Sequence, residues 1–380
     1  MTSRPTTRAR RFLVRTGAMA RKETHHIVRD PRNLYLALGL PVVMILIFGF
    51  GVSFDIDNAP IAVVDQDGTA TSREVVRTLA ANGDFEVVAS MTSAEDVDRL
   101  FRTRDAMAAV VVPAGFERDL ARGERASVQV LLDGSDGTTA MSVLGNATMT
   151  LRAMAEKVAG VPGGISPPLV SRVRLLFNPD LRSTIFLVPG LVAYVLAIAA
   201  VLLTALTVAR EWERGNMELL FSTPVGRLEI VAGKLLPYLA IGVVQALLVL
   251  VVGTVVFDVP IRGSIALLAA GTLLFLAAAL GQGLLISVMT RNQQVATQVG
   301  AVSSLLPGLL LSGFLFPIAN MPIALQVISA VLPARYYLSL LRGVMLKAAP
   351  IGDLWPDLAA MAAFATVTIV IATLRFRRTL

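Results

Sequence analysis

Few residues of this chain combine the types and spacing that chemistry needs. None of its 380 residues is a cysteine, which removes thiol catalysis, disulfides, iron–sulfur clusters and cysteine zinc sites together. Its two histidines, His25 and His26, are adjacent. Neighbours on a helix point apart, so they form a poor metal pair and read as surface side chains. The nearest approach to a phosphate-binding loop is Gly226 to Gly233–Lys234. Six residues separate these glycines where four are needed, and Leu235 stands where Ser or Thr would hold magnesium. Asp65/Asp67 and Asp133/Asp136 fall at strand ends and in turns, where Asp is favoured for backbone reasons alone. What remains is one dense run, REWERGNMELLFSTPVGRLEIVAGK (210–234), with four acids, three arginines and a lysine between long apolar stretches. Its chemistry is recognition, not bond making.

The elements that carry this run are membrane helices. The chain is 55% hydrophobic and 16% charged, with a mean hydropathy of +0.69, outside the usual soluble range. A span needs about 20 apolar residues. Residues 34–54, 185–209, 235–257, 265–289 and 295–317 qualify without a formal charge, and 358–374 is a shorter sixth. Residues 318–349 are apolar but broken by Pro322 and Pro333 and carry Arg335, Arg342 and Lys347, so they read as re-entrant or interfacial. Between the first two spans, 55–183 has soluble composition. Short β-type runs such as IAVVD (61–65) alternate there with helical spacing such as TSREVVRTLAA (71–81), which predicts an α/β domain. The fold class is therefore a polytopic α-helical membrane protein of six transmembrane helices with an inserted extracytoplasmic α/β domain. Segment 1–33 precedes the first span, and 184–380 forms the remaining five-helix region.

Charge bias orients these spans. Residues 1–33, the 210–234 loop, the 290–294 turn and the tail from Arg375 hold seventeen basic and six acidic residues. Residues 55–183 and the remaining loops hold seventeen basic and twenty-one acidic. The first set is cytoplasmic, so both termini lie inside, as an even number of spans requires. Trp212 and Trp355 fall at opposite interfaces, where amphipathic rings prefer to sit. The basic leader is too long, and a small-residue cleavage site is missing after Phe54, for the first span to be a cleaved signal. The same topology accounts for the net charge of +7 without nucleic acid. The spans contain Gln245, Gln282, Gln298 and Tyr194 but no Asp, Glu, Lys, Arg or His, which weakens an ion-coupled pump.

Gly215 can end the helix that leaves the second span, and Asn216 is a good cap for a short helix over Met217–Phe221. Pro224 and Gly226 then turn the chain so that the third span begins near Lys234. The expectation is a helix across the cytoplasmic face with its acids and Met217, Leu220 and Phe221 exposed. The plain reading is a snorkelling anchor between two spans. Four acids argue against that, since positive-inside topology has no need of them, and a short helix of this kind suits a groove in a partner.

Here the run resembles the loop of ABC-2 type transport permeases, the membrane subunits of ATP-binding-cassette exporters. Their pattern is roughly Arg-Glu-x-Glu-x-Gly-Thr-x-Glu-x-Leu-x-x-Thr-Pro-Val. This chain keeps Arg210, Glu211, Glu213, Gly215, Glu218, Leu220, Thr223, Pro224 and Val225, with Asn216 where Thr is usual. RKETHHIVRDPRNL (21–34) is similar to the family's amphipathic connector helix. NPDLRSTIFLVPGL (178–191) resembles its entry into span two, and 311–346 its outer re-entrant region. The long segment between spans one and two marks the subgroup with a large extracytoplasmic insertion.

The resemblance implies a transporter subunit rather than an enzyme. The run becomes a coupling helix that contacts a separate ATPase through Arg210, Glu211, Glu213, Arg214, Gly215, Asn216, Met217, Glu218, Leu220, Thr223 and Pro224. The connector helix carries Lys22, Glu23, Arg29, Asp30, Pro31 and Arg32, and an outer gate forms from Phe316, Pro317, Met321, Pro322 and Pro333. No cofactor or metal is expected on this chain; ATP and magnesium belong to the partner. The implied partners are two ATPase copies, a second permease copy or sibling and the bilayer, with a periplasmic adaptor as an optional further one. The expected location is a bacterial inner membrane, and the expected function is export of a hydrophobic or amphipathic compound. The alternative is a mechanotransmitter that moves an extracytoplasmic partner without passing substrate through its spans. A membrane enzyme would need a convergent titratable cluster in 55–183, and the sequence offers none.

Overall fold

The computed structural model describes residues 8–51, 59–133 apart from 82, 84, 94–96, 104 and 125, then 143–153 and 182–376. Within these, the side chains of 32, 33, 36, 218, 219 and 221 are not described. The Gly/Pro-rich segment 160–168 and the start of the 178–191 motif lie outside the described residues. Two compact units result: residues 53–183, and 1–52 with 184–380.

The 53–183 unit is α/β. Its strands are β1 (Ala59–Asp65), β2 (Phe85–Met91), β3 (Ala108–Val112) and β4 (Gln129–Leu132), in the order β2-β1-β3-β4. β1 pairs in parallel with β2 and β3, while β4 closes antiparallel on β3. Alternate side chains face opposite sides, so each strand feeds two cores. Ala59, Ile61, Val110 and Val112 face α3 (Ala70–Ala81), the first residue of α5 (Phe116–Ala121) and α6, helical over 143–153. Ala62, Val64, Ala109 and Val111 face α4 (Val97–Thr103). Burial on both faces explains the uninterrupted AAVVV of β3, every residue of which is buried.

Asp65 and Asp67 act on the backbone. Asp65 accepts hydrogen bonds from the Asp67 and Gly68 amides, at 3.1 and 2.9 Å, and from Ser72 Oγ at 2.8 Å. Asp67 accepts from the Gly115 and Glu117 amides at the start of α5.

The helical unit contains α1 (Arg8–Val28), α2 (Pro31–Gly51), α7 (Ser183–Glu213), α8 (Asn216–Phe221), α9 (Arg227–Val255), α10 (Ile265–Thr290), α11 (Gln293–Leu310), α12 (Ile323–Ser329), α13 (Pro333–Lys347) and α14 (Ile351–Arg375). By length and composition, α7, α9, α10 and α14 can each cross a membrane. α12 and α13 pass that test only together, as a pair bent by 81°. The apolar part of α2, Ala37–Gly51, is shorter.

Several boundaries depart from those expected. α9 starts at Arg227, not near Lys234, because the Glu229 carboxylate accepts the Gly226 amide at 2.6 Å and stabilises the first turn. α14 likewise starts at Ile351, ahead of Trp355. α11 ends at Leu310 rather than continuing to Pro317, and Gly313 then takes a left-handed φ of +84°. The connector does not run through 21–34. α1 ends at Val28, Arg29 and Asp30 form the break, and Pro31 opens α2, where a missing N–H costs nothing.

α7 is the most buried of the long helices. Small residues and hydroxyls form its seam with α10. A Cβ on Gly283 would collide with the Val201 carbonyl, so only glycine permits this approach. Thr204 Oγ1 donates to Leu280 O at 2.8 Å, and Ser287 Oγ accepts from the Val208 and Ala209 amides at 3.0 and 2.9 Å.

The expected gate residues occupy the bent region. Phe316 is exposed, and Pro317 precedes a single 3-10 turn, Ile318–Asn320. Met321 ends that turn, Pro322 precedes α12, and Pro333 is buried as the first residue of α13. Arg342 of α13 ties the region down. Its guanidinium lies 4.2 Å over the Phe186 ring and donates to Gly313 O at 3.1 Å and Phe314 O at 3.4 Å.

Candidate functional site

The 210–234 run holds the end of α7, all of α8 and the start of α9, with a turn between each pair. Successive residues on a helix point about 100° apart, so three in a row can reach three neighbours. Glu211, Trp212 and Glu213 do this at the end of α7. Glu211 meets Lys22 of α1 at 2.8 Å through Oε1 and Lys234 of α9 at 2.7 Å through Oε2. The Arg291 guanidinium, at the turn after α10, stacks 4.4 Å over the Trp212 ring. Glu213 accepts the Gln293 backbone amide at 2.7 Å and also the Gln293 side-chain amide. A carboxylate here satisfies an otherwise unpaired N–H at the start of α11 and complements its dipole.

Lys234 is the centre of the network. It is 1% exposed and also donates to Glu23 Oε1 of α1 at 2.8 Å. Two carboxylates around one buried ammonium, with Lys22 on the second, give paired charges that burial demands. α1 reaches this point by burying Thr16, Met19 and Glu23, spaced so as to share one face. That face sits on Gly233, where an added Cβ would lie 2.6 Å from Met19 Cβ and 3.0 Å from Thr16 O. Glu229 adds a partly exposed contact with Arg15 at 3.6 Å.

Gly215, with φ of +70°, ends α7, and its amide bonds to Trp212 O at 3.1 Å. α8 follows directly from Asn216, which is exposed. Met217 is not the exposed knob expected. It is 1% exposed and packs in a cluster with Met19, Val208, Ile230, Val231 and Leu284. Leu220 is half-buried against the same cluster. The side chains of Glu218 and Phe221 lie outside the described residues, as does that of Arg32. Thr223 Oγ1 donates to Leu220 O at 2.6 Å, closing the turn in which Pro224 is exposed.

Three of the four acids of the run, Glu211, Glu213 and Glu229, are therefore engaged within the chain. Arg210 lies in the last turn of α7, and Arg214, just past its end, bonds back through its amide to Arg210 O at 3.2 Å. Of the expected connector residues, Lys22 and Glu23 enter the network, while Arg29, Asp30 and Pro31 make the bend between α1 and α2. Sequence reasoning missed Lys234 as a centre. The available signal was its setting, IVAGKLLPY, in which a lone cation flanked by apolar residues must find a counter-charge. Among the described residues, no group of three His, Cys, Asp or Glu could hold a metal.

Residues 33–374 match the family described as ABC-2 family transporter protein. The chain is 34% identical over 334 residues to the probable multidrug ABC transporter permease YbhS of Escherichia coli strain K12, covering 87% of this chain and 88% of that one. It is 30% identical over 365 residues to the probable multidrug ABC transporter permease YbhR of the same strain, covering 96% and 98%. The inner membrane transport permease YhhJ, again of that strain, is 27% identical over 354 residues, covering 89% and 93%. The chain thus belongs to the ABC-2 transporter family and is a multi-pass membrane permease.

Proposed function

We propose that this chain is the permease subunit of an exporter driven by a separate cytoplasmic ATPase. The observation that carries the reading is the three-way attachment of residues 211–213. α8 follows α7 through a single glycine turn, and the adjoining end of α7 holds α1, α9 and the start of α11 through short polar contacts. A displacement of α8 by a docked ATPase would therefore move these helices together. Packed elements that share buried charges shift as bodies.

The docking surface in this reading is the exposed side of α8 and its flanks, with Asn216 and Pro224 as contacts. Glu211, Glu213 and Met217 hold the inner side. Two copies of the chain, or this chain and a sibling, form the path, and two ATPase copies supply ATP and magnesium. The bilayer is the third partner. The topology has both termini inside a bacterial cytoplasmic membrane, residues 55–183 outside, and six spans, with α2 and α11 as the shorter two. The cargo is hydrophobic or amphipathic. Two relatives are named as probable multidrug permeases, which supports that cargo class.

The test uses Asn216→Cys, which introduces a thiol without native background. Membranes expressing the chain with its neighbouring ATPase are treated with a photoactivatable thiol crosslinker, and the captured species are identified by mass spectrometry. Capture of a soluble protein carrying a phosphate-binding loop is expected. Capture of only lipid or of the chain itself would sink the coupling reading. ATP-dependent flux in inverted vesicles separates an exporter from a mechanotransmitter.

A further inference from the structure

A cavity of about 310 Å³ lies between α1, α2, α7 and α9, wholly within the helical unit. Its two ends differ. Along most of its length it is apolar, lined by Leu40 and Met44 of α2, Leu203 of α7 and Ile241 of α9. At one end it is charged. Lys22, Glu23 and Glu211 reach that end, but with Lys234 they form the closed network of two cations and two anions. Arg210 and Arg214 are different. They line the same end from the last turn of α7 and the residue that follows it, and neither makes an ion pair within 4.0 Å among the described residues. Asp30 is the other acid among the lining residues, and it leaves the cations in excess.

A second feature points into the apolar part. Gln245 of α9 lines the cavity and has no exposed surface. Its amide nitrogen donates to Ala37 O, but its Oε1 accepts no hydrogen bond. A buried acceptor without a donor is unfavourable, and a bound group supplies one remedy. Gln245 is eleven residues beyond Lys234 on α9. At 1.5 Å per residue the two lie roughly 16 Å apart along the helix.

We infer that this cavity binds an anionic amphiphile. Its acidic group sits between Arg210 and Arg214, its chain runs along α2 and α7, and Gln245 Oε1 accepts from a hydroxyl or amide carried partway along that chain. Guanidinium groups suit carboxylate and phosphate heads alike. The shared requirement is one negative head and one long apolar chain. Such a molecule comes either from the bilayer, as an acidic phospholipid, or from solution, as a single-chain acid.

The test measures binding to the purified chain in neutral detergent, without any ATPase, so its failure leaves the permease reading standing. The probes are 12-hydroxyoctadecanoate and its uncharged methyl ester, followed by equilibrium dialysis. The acid should bind at least tenfold more tightly than the ester. Arg210→Gln with Arg214→Gln should abolish that preference, and Arg210→Lys with Arg214→Lys should restore it, which excludes mere misfolding as the cause. Ala199→Trp, which fills the cavity from α7, should remove binding of both probes. Equal binding of acid and ester, a preference that survives the double Gln change, or binding that survives Ala199→Trp would each overturn the inference. Competition by phosphatidylglycerol in mixed micelles assigns the site to a bilayer lipid; its absence, with the charge preference intact, assigns it to a single-chain acid.

Discussion

Lys234 Nζ of α9 and Glu23 Oε1 of α1 lie 2.8 Å apart, and their side chains are only 2% and 6% exposed. The pair joins residues 211 positions apart in the chain, and Glu211 closes on the same ammonium. A buried ion pair of this kind need not stabilise the protein relative to apolar residues, but it punishes the loss of one partner. Lys234→Ala leaves the buried Glu23 carboxylate without its cation and Glu211 with Lys22 alone. The change should cost roughly 3–5 kcal/mol. Thermal unfolding in detergent checks this. Adding Glu23→Leu and Glu211→Leu to Lys234→Met should recover most of the loss, whereas an unchanged unfolding temperature in Lys234→Ala would show that the charges are solvated.

α1 depends on Gly233. A Cβ there would lie 2.6 Å from Met19 Cβ and 3.0 Å from the Thr16 carbonyl, and a backbone carbonyl cannot rotate aside. Gly233→Leu should therefore lift α1 from α9 while leaving α9 helical. Amide hydrogen exchange should rise along 12–24 and stay unchanged along 240–250. Unchanged exchange in α1 would refute this account of the contact.

Met217 and Asn216 are adjacent, yet one is buried and the other exposed. The chain has no native cysteine, so single introduced thiols report cleanly. Asn216→Cys should react with a water-soluble maleimide at least tenfold faster than Met217→Cys. Met217→Ala should also cost about 2–5 kcal/mol, the usual range for emptying a buried methionine site. Equal labelling rates would restore Met217 to the outer face of α8.

Glu213 holds the first residue of α11 by two hydrogen bonds. Glu213→Ala removes a charged acceptor and should lower the unfolding temperature. Glu213→Gln keeps an acceptor and should lose less. Ordering of the two variants in thermal unfolding is the check, and equal effects would mean that the charge contributes nothing.

Asp67 offers a pH test in the α/β unit. The Thr69 hydroxyl, with the Glu117 and Gly115 amides, holds its carboxyl below the ordinary value of 3.8. A depressed acid stabilises the fold above that ordinary value, and the contribution fades as pH falls from 3.8 toward the lowered one. The amides of Gly115 and Glu117 should lose exchange protection across that window before the core amides of β3 do. Asp67→Asn should remove the pH dependence at those two amides.

Much of the architecture was legible in local pattern. Apolar length marked α7, α9, α10 and α14, and the alternation of strand and helix signals marked the sheet of 59–132. Prolines and glycines marked the bend at α12 and α13 and the turn at Gly215. The pattern misjudged ends. Residues 295–317 looked like one span because Leu311–Phe316 is apolar, but hydropathy does not register a left-handed glycine or the pull of Arg342 on Gly313 O. The candidate site was visible as a stretch and not as an arrangement. Its motif located α8, but it did not show that Glu211, Glu213 and Glu229 have partners within the chain.

By itself, then, the sequence determined the chemistry that is possible. With no cysteine, no phosphate-binding loop and charges gathered beside apolar stretches, it specified a membrane protein whose densest charged run between apolar stretches lies in 210–234. Composition and spacing are properties of neighbours in the chain, and they suffice for such statements. Only tertiary structure decided that Glu211, Trp212 and Glu213 turn toward three different parts of the protein, that Lys234 is buried, and that Met217 faces inward. These outcomes depend on how α1 approaches α9 at Gly233 and α7 approaches α10 at Gly283. A charge near the membrane can be solvated or paired, and the difference is set by a partner up to 211 residues away, which no local period encodes.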